Sequence, residues 1–164
     1  MILQRSSELA IRAALFLAQQ APGKLSPVRE IAARTGVSEA HLAKILQRLT
    51  SAGLVRSFRG PGKGMELGRA PASITLDSLV CAIEGPRTEN ECVLGMGICS
   101  KETPCTLHAD WVPIRTAIRA LLQNTSLANL VEIAQDHSNK SVESMIGERI
   151  SSAQAHVSRG KRHP

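Results

Sequence analysis

Between Cys92 and His108 the chain cannot build a hydrophobic core, and this gap constrains how everything around it folds. Cys92, Cys99 and Cys105 fall within fourteen residues, and His108 stands three positions beyond the last. Gly95, Gly97, Ser100, Lys101, Glu102, Thr103 and Pro104 are seven of the eleven residues between the three cysteines. Flexible and polar residues of this kind bury too little apolar surface to repay the entropy of ordering them. Something other than packing must organise the segment. Soft thiolates at short spacing, with an imidazole nearby, suit zinc, an iron–sulfur cluster or a redox disulfide. The intervening runs of six and five residues match poorly the short gaps of structural zinc sites. A metal-free thiol switch is a further reading, although a single disulfide would leave the third thiol and the histidine without a role. Cys81 lies apart, among Leu79, Val80, Ala82 and Ile83, and is expected in the core.

The core must therefore come from the flanks, and their composition says what kind. Aromatics make up 2% of the 164 residues, with no Tyr, one Trp and two Phe. Aliphatic packing without aromatics favours helices over a β-sandwich. The expected fold is mainly α. Ser6 or Ser7 can cap a first helix that runs to about Gln20 and is stopped by Pro22-Gly23. Pro27 suits the first position of a second helix over Val28 to Arg34. Ser38 caps a third, whose Leu42, Ile45, Leu46 and Leu49 recur at i, i+3, i+4 and i+7. Leu54 to Phe58 and Met65 to Leu67 read as two strands around the glycine-rich turn Arg59 to Gly64. A fourth helix over Ser73 to Ile83 ends at Gly85-Pro86. After the cysteines a further helix runs to about Asn124, starting either near Trp111 or at Thr106 with a bend at Pro113. Ser126 caps a short piece through Ala134.

Helix, glycine turn, capped amphipathic helix and basic hairpin, in that order, describe a winged helix-turn-helix. Charge agrees. Residues 1–70 carry eleven Lys and Arg against four Asp and Glu, and residues 71–164 carry nine against ten. A basic half beside a near-neutral remainder is the footprint of a nucleic-acid-binding unit. The apolar stripe of the third helix faces inward, so Ser38 and His41 can read base edges of double-stranded DNA from its N-terminal end. Lys44 and Arg48 can reach guanine or phosphate. Arg59 and Lys63 bring charge to a hairpin tip able to approach a neighbouring minor groove. An enzyme is not expected: no C-x-x-C, phosphate-binding glycine loop or recognisable Ser/His/Asp motif is present. The longest apolar run, Ala13 to Ala18, is too short to span a bilayer. No secretory leader pattern begins the chain, so a cytoplasmic location is expected, with no membrane partner and no small-molecule substrate.

Read with the cysteines, these residues closely resemble the bacterial iron–sulfur winged-helix regulators typified by IscR, NsrR and RirA. The similarity runs from Ile2 to about Glu132. It is carried by Leu9 to Ala18, Ile31-Ala32 with Gly36-Val37-Ser38, Leu46 to Leu49, and Ser51-Ala52-Gly53-Leu54-Val55. Its most specific parts are Arg59-Gly60-Pro61-Gly62, Ile74 to Gly85, and Cys105-Thr106-Leu107-His108 with Trp111. The resemblance implies a homodimeric repressor or activator with one iron–sulfur cluster per subunit, whose occupancy alters operator affinity. It implies Cys92, Cys99 and Cys105 as ligands with His108 completing the set, which favours [2Fe–2S] over [4Fe–4S]. In some relatives an acidic residue of helix one serves instead, which makes Glu8 of the partner subunit the other candidate. The chain departs from the IscR branch in its cysteine spacing, six and five against five and five, and in the wing, which reads Lys63-Gly64-Met65-Glu66.

Leu107, Trp111, Ile114, Ile118 and Leu121 are spaced 4, 3, 4 and 3, a seam that one helix presents to another. Two chains joined along it would read a near-palindromic operator. The expected organisation is a winged helix-turn-helix over 1–85 and a cluster-binding loop over 86–108. A dimerisation helix and short helix follow over 109–135, with a polar, disordered tail over 136–164.

Overall fold

The computed structural model describes residues 3–60, 62–86, 92–95, 97 and 99–136. Helix α1 (Arg5–Ala18) is the hub, packed against α2 (Val28–Thr35), α3 (Glu39–Ser51) and α4 (Leu76–Glu84). Leu9, Ala10, Ala13, Ala14 and Leu17 bury one continuous face of it. The cap expected from Ser6 or Ser7 is absent, because the flanking position is Gln4 and its side chain makes no capping bond. Ser7 instead is fully buried, and its hydroxyl donates to Glu84 Oε1 at 2.6 Å. The Gln4 backbone N–H donates to the same oxygen at 2.9 Å. A carboxylate from α4 thus sits at the N-terminal end of α1, where it satisfies donors and complements the helix dipole.

Helices α2 and α3 follow the sequence pattern closely. Pro27 stands just before α2, where its missing N–H costs nothing. The Ser38 hydroxyl accepts from the His41 N–H at 3.4 Å, capping α3. Leu42, Ile45, Leu46 and Leu49 are all buried. Strands β1 (Val55–Phe58) and β2 (Gly64–Leu67) pair antiparallel with Val55 opposite Leu67 and Phe58 opposite Gly64. This hairpin is the wing. It does not stand alone: Met65 exchanges both backbone hydrogen bonds with Ser26 of the α1–α2 connection, at 3.0 and 2.9 Å. At its root Gly68 is required by close approach, since a Cβ there would lie 2.5 Å from the Gly53 carbonyl oxygen.

A single 3₁₀ turn (Pro71–Ser73) precedes α4, which starts later than the sequence pattern suggests because Thr75 takes the cap, its Oγ1 accepting from Ser78 N at 3.2 Å. Leu79, Val80 and Ile83 face inward. Cys81 is half-buried rather than in the core, with its thiol 3.8 Å from Asp77 Oδ2. At about 100° per residue, position 81 falls roughly 100° beyond Val80, off the buried arc. Gly85 then adopts φ 87, a left-handed conformation that favours glycine and turns the chain out of α4.

Helix α5 (His108–Asn124) begins between the two expected starts and runs through Pro113. It packs against α4 and buries only Leu122 completely. Residues 127–136 form a sixth helix, capped as expected: Asn129 N donates to Ser126 Oγ and Ser126 N to Asn129 Oδ1. Residues through Asn129 form one compact unit, and those from Leu130 a second. The expected polar tail, apart from Asp136, which ends the helix, lies outside the described residues.

Candidate functional site

The reading face comes from the helical repeat of α3. With Leu42, Ile45, Leu46 and Leu49 turned inward, the opposite side carries Ala40, Lys44 and Gln47, all exposed. Ser38 and His41 lie exposed at the N-terminal end, as expected for base reading. Gln47 was not singled out by the sequence pattern, although its offset of three from Lys44 puts it on the same face. Arg48 stands on the flank instead. It is exposed overall, but Nη1 donates to the Ile83 carbonyl of α4 at 3.0 Å.

In the wing, Arg59 and Lys63 are both exposed on the connecting turn, which Lys63 N closes by donating to Gly60 O at 3.0 Å. Two more wing residues face outward from β1. Arg56 bonds Glu66 Oε1 at 2.7 Å and lies 6.0 Å from the centroid of the Phe58 ring. Alternation alone would not have flagged them, since Val55 is buried and the rest of the strand is exposed. The wing surface is cationic at its tip, and one of its arginines is balanced by a carboxylate.

Short-range bonds link the described residues of the cysteine segment. Cys99 is buried, and its Sγ lies 3.1 Å from Nδ1 of His108, the first residue of α5. The His108 N–H donates to Cys105 O at 3.0 Å, so those two candidates share a turn. Gly95 N donates to Cys92 O at 3.0 Å, which folds the segment after Cys92 back on itself. Cys92 and Cys105 are half-buried, and none of the four cysteines is in a disulfide. The Ser100 hydroxyl accepts from Thr103 N at 3.2 Å. Backbone and Ser100 hydrogen bonds hold the exposed Glu102 carboxyl below the ordinary carboxylate range. Glu8 occupies the first turn of α1 and is half-buried. Among the described residues, no three Cys, His, Asp or Glu side chains converge closely enough to hold a metal ion. The donor chemistry fits an iron–sulfur cluster nonetheless: three thiols and an imidazole, with Cys99 and His108 already adjacent.

Among the described residues no helix is long and apolar enough to cross a membrane. The family profile described as "Rrf2: Iron-dependent Transcriptional regulator" matches residues 3–133. The HTH-type transcriptional regulator IscR of Vibrio campbellii is 31% identical over 132 residues, covering 80% of this chain and 78% of that one. IscR of Escherichia coli O1:K1 is 31% identical over 131 residues, with 80% of each chain covered. Among solved structures, CymR, the global cysteine regulator of B. subtilis, aligns with a TM-score of 0.68 at 27% identity, covering 80% of this chain and 96% of that one. T. potens IscR aligns at 0.66 and 24% identity, covering 82% and 89%. Because the family match takes in the winged helix, the cysteine segment and α5 together, this chain belongs to the Rrf2 family of transcriptional regulators and acts by binding DNA, not by catalysis.

Proposed function

We propose that the chain is a cytoplasmic repressor whose operator affinity is set by an iron–sulfur cluster held by Cys92, Cys99 and Cys105. His108 is the fourth ligand, with Glu8 of the partner subunit as the other candidate, and [2Fe–2S] is favoured over [4Fe–4S]. The observation that carries this reading is the 3.1 Å contact between Cys99 Sγ and His108 Nδ1. It joins the cysteine segment to the start of α5, so two soft donors nine positions apart meet. When bound, the cluster supplies a rigid centre sensitive to iron supply, nitric oxide or redox stress. The chain's own residues do the rest. Ser38, His41 and Lys44 meet the major groove, and Arg59 and Lys63 meet backbone or minor groove. The apolar seam of α5 supports a homodimer, since Leu107, Ile114 and Leu121 are 40%, 52% and 62% exposed in the single chain. Two-fold symmetry then matches a near-palindromic operator.

Protein purified without oxygen is expected to be coloured and to contain iron and inorganic sulfide. Replacing Cys92, Cys99 or Cys105 with Ala should remove the colour, whereas Cys81→Ala should keep it. Equal colour in all four variants would defeat the ligand assignment. The four cysteines, none of them in a disulfide, leave a second reading, in which the same thiols act without metal. That reading predicts a colourless protein whose operator binding is switched by oxidant and restored by dithiothreitol. A colourless protein with stoichiometric zinc would instead mark a zinc-binding regulator.

A further inference from the structure

We propose that Arg48 is a positioning residue that sets the recognition helix against the end of α4, rather than a reader of bases or phosphates. Three observations carry this. The Nη1–Ile83 O bond spans 35 positions of sequence and directly links α3 to α4. Ile83 O belongs to the last turn of α4 (Leu76–Glu84), whose carbonyls have no partner within the helix. A guanidinium there also complements the negative end of the helix dipole. Finally, the same turn is fastened on its other side, because Glu84 accepts from Ser7 and Gln4 of α1. The last turn of α4 is thus held to both helices around it.

Arg48 sits four residues after Lys44 and seven after His41, so a shift at Ile83 moves the reading residues directly. Gly85 follows within two residues, and Cys92 is nine positions past Ile83. If a cluster at the cysteine segment displaces the last turn of α4, Arg48 carries that displacement to α3. This last step rests on the cluster reading above; the positioning role does not.

The two roles of an arginine differ in their salt response. Losing a phosphate contact makes the slope of log affinity against log salt shallower by about one. Losing a positioning bond lowers affinity at constant slope. Arg48→Met and Arg48→Gln shorten the side chain to the same reach, but Met removes every donor whereas Gln keeps an uncharged N–H₂ donor. Operator binding by wild type, Arg48→Met and Arg48→Gln is to be measured over a salt series, with thermal melts to check folding. The expected result for Arg48→Met is a loss of about tenfold with an unchanged slope, and for Arg48→Gln a smaller loss with the same slope. A shallower slope in either variant overturns the proposal, as does equal loss in both. If Arg48→Met does not fold, the slope of Arg48→Gln decides alone. The transmission step is read from the ratio of cluster-loaded to cluster-free affinity. In Arg48→Gln and Arg48→Met that ratio should move toward one. A wild-type ratio of one defeats the cluster reading only, whereas a wild-type ratio that both variants retain defeats the transmission through Arg48.

Discussion

Each outward side chain of the winged helix acts on a different quantity, and substitution separates them. His41 lies at the end of α3 that enters a groove first, while its own N–H is used in the cap with Ser38. Its imidazole can therefore change without unfolding the helix start. His41→Ala is expected to relax preference at one base pair of the operator by roughly 1–3 kcal/mol. Lys63 is exposed on the wing turn, where its flexible ammonium suits a phosphate better than a base edge. Lys63→Ala should weaken binding to all sequences alike and reduce the salt slope by about one. Fluorescence anisotropy against matched and scrambled duplexes at several salt concentrations measures both. A Lys63 variant with wild-type slope would remove the wing tip from the DNA contact.

At the scale of elements, the wing depends on its root as much as on its tip. Gly68 N donates to Leu54 O at 2.9 Å, and its Cα approaches the Gly53 carbonyl too closely for any side chain. Gly68→Ala forces backbone apart and should cost roughly 1–3 kcal/mol, lowering Tm by about 2–12 °C. A calorimetric scan with unchanged Tm would show that the root yields freely. The elements themselves were legible in the sequence because local signals agreed: Ser38 and Ser126 cap where they should, and the α3 stripe is buried as spaced. Legibility failed where a distant residue took over a local task. Glu84 serves α1 in place of Ser6 or Ser7, and Arg48 donates to the Ile83 carbonyl of α4. Both depend on α4 folding back across α1 and α3, and no window of sequence contains that. In the cysteine segment the sequence offers candidate donors but not a geometry. Spacing shows which residues can ligate, and only the start of α5 brings His108 to Cys99.

For the molecule as a whole, the seam on α5 is the feature a single chain leaves unfinished. Leu107, Ile114 and Leu121 repeat every seven residues and are all exposed, a pattern expected to be covered by a second copy. Leu121→Glu is therefore expected to convert dimer to monomer in analytical ultracentrifugation and to weaken operator binding by well over tenfold, since two half-sites would no longer be held together. Gln123→Glu, an exposed α5 position on the opposite side, should do neither. A Leu121→Glu protein that sediments as a dimer places the interface elsewhere.

The backbone exchange between Ser26 and Met65 has a thermodynamic consequence. A two-stranded hairpin of four-residue strands is marginal in water by itself, and a wing of that sort would have to be ordered by its operator. Here a third backbone segment supplies the ordering before any DNA arrives. Association then begins from a preformed surface, so the heat capacity change on binding should match the apolar area covered at the interface alone. Titration calorimetry at several temperatures would reveal the excess negative value that coupled folding produces. Its absence is the expected result, and with it an association rate limited by electrostatic encounter and orientation rather than by a folding step.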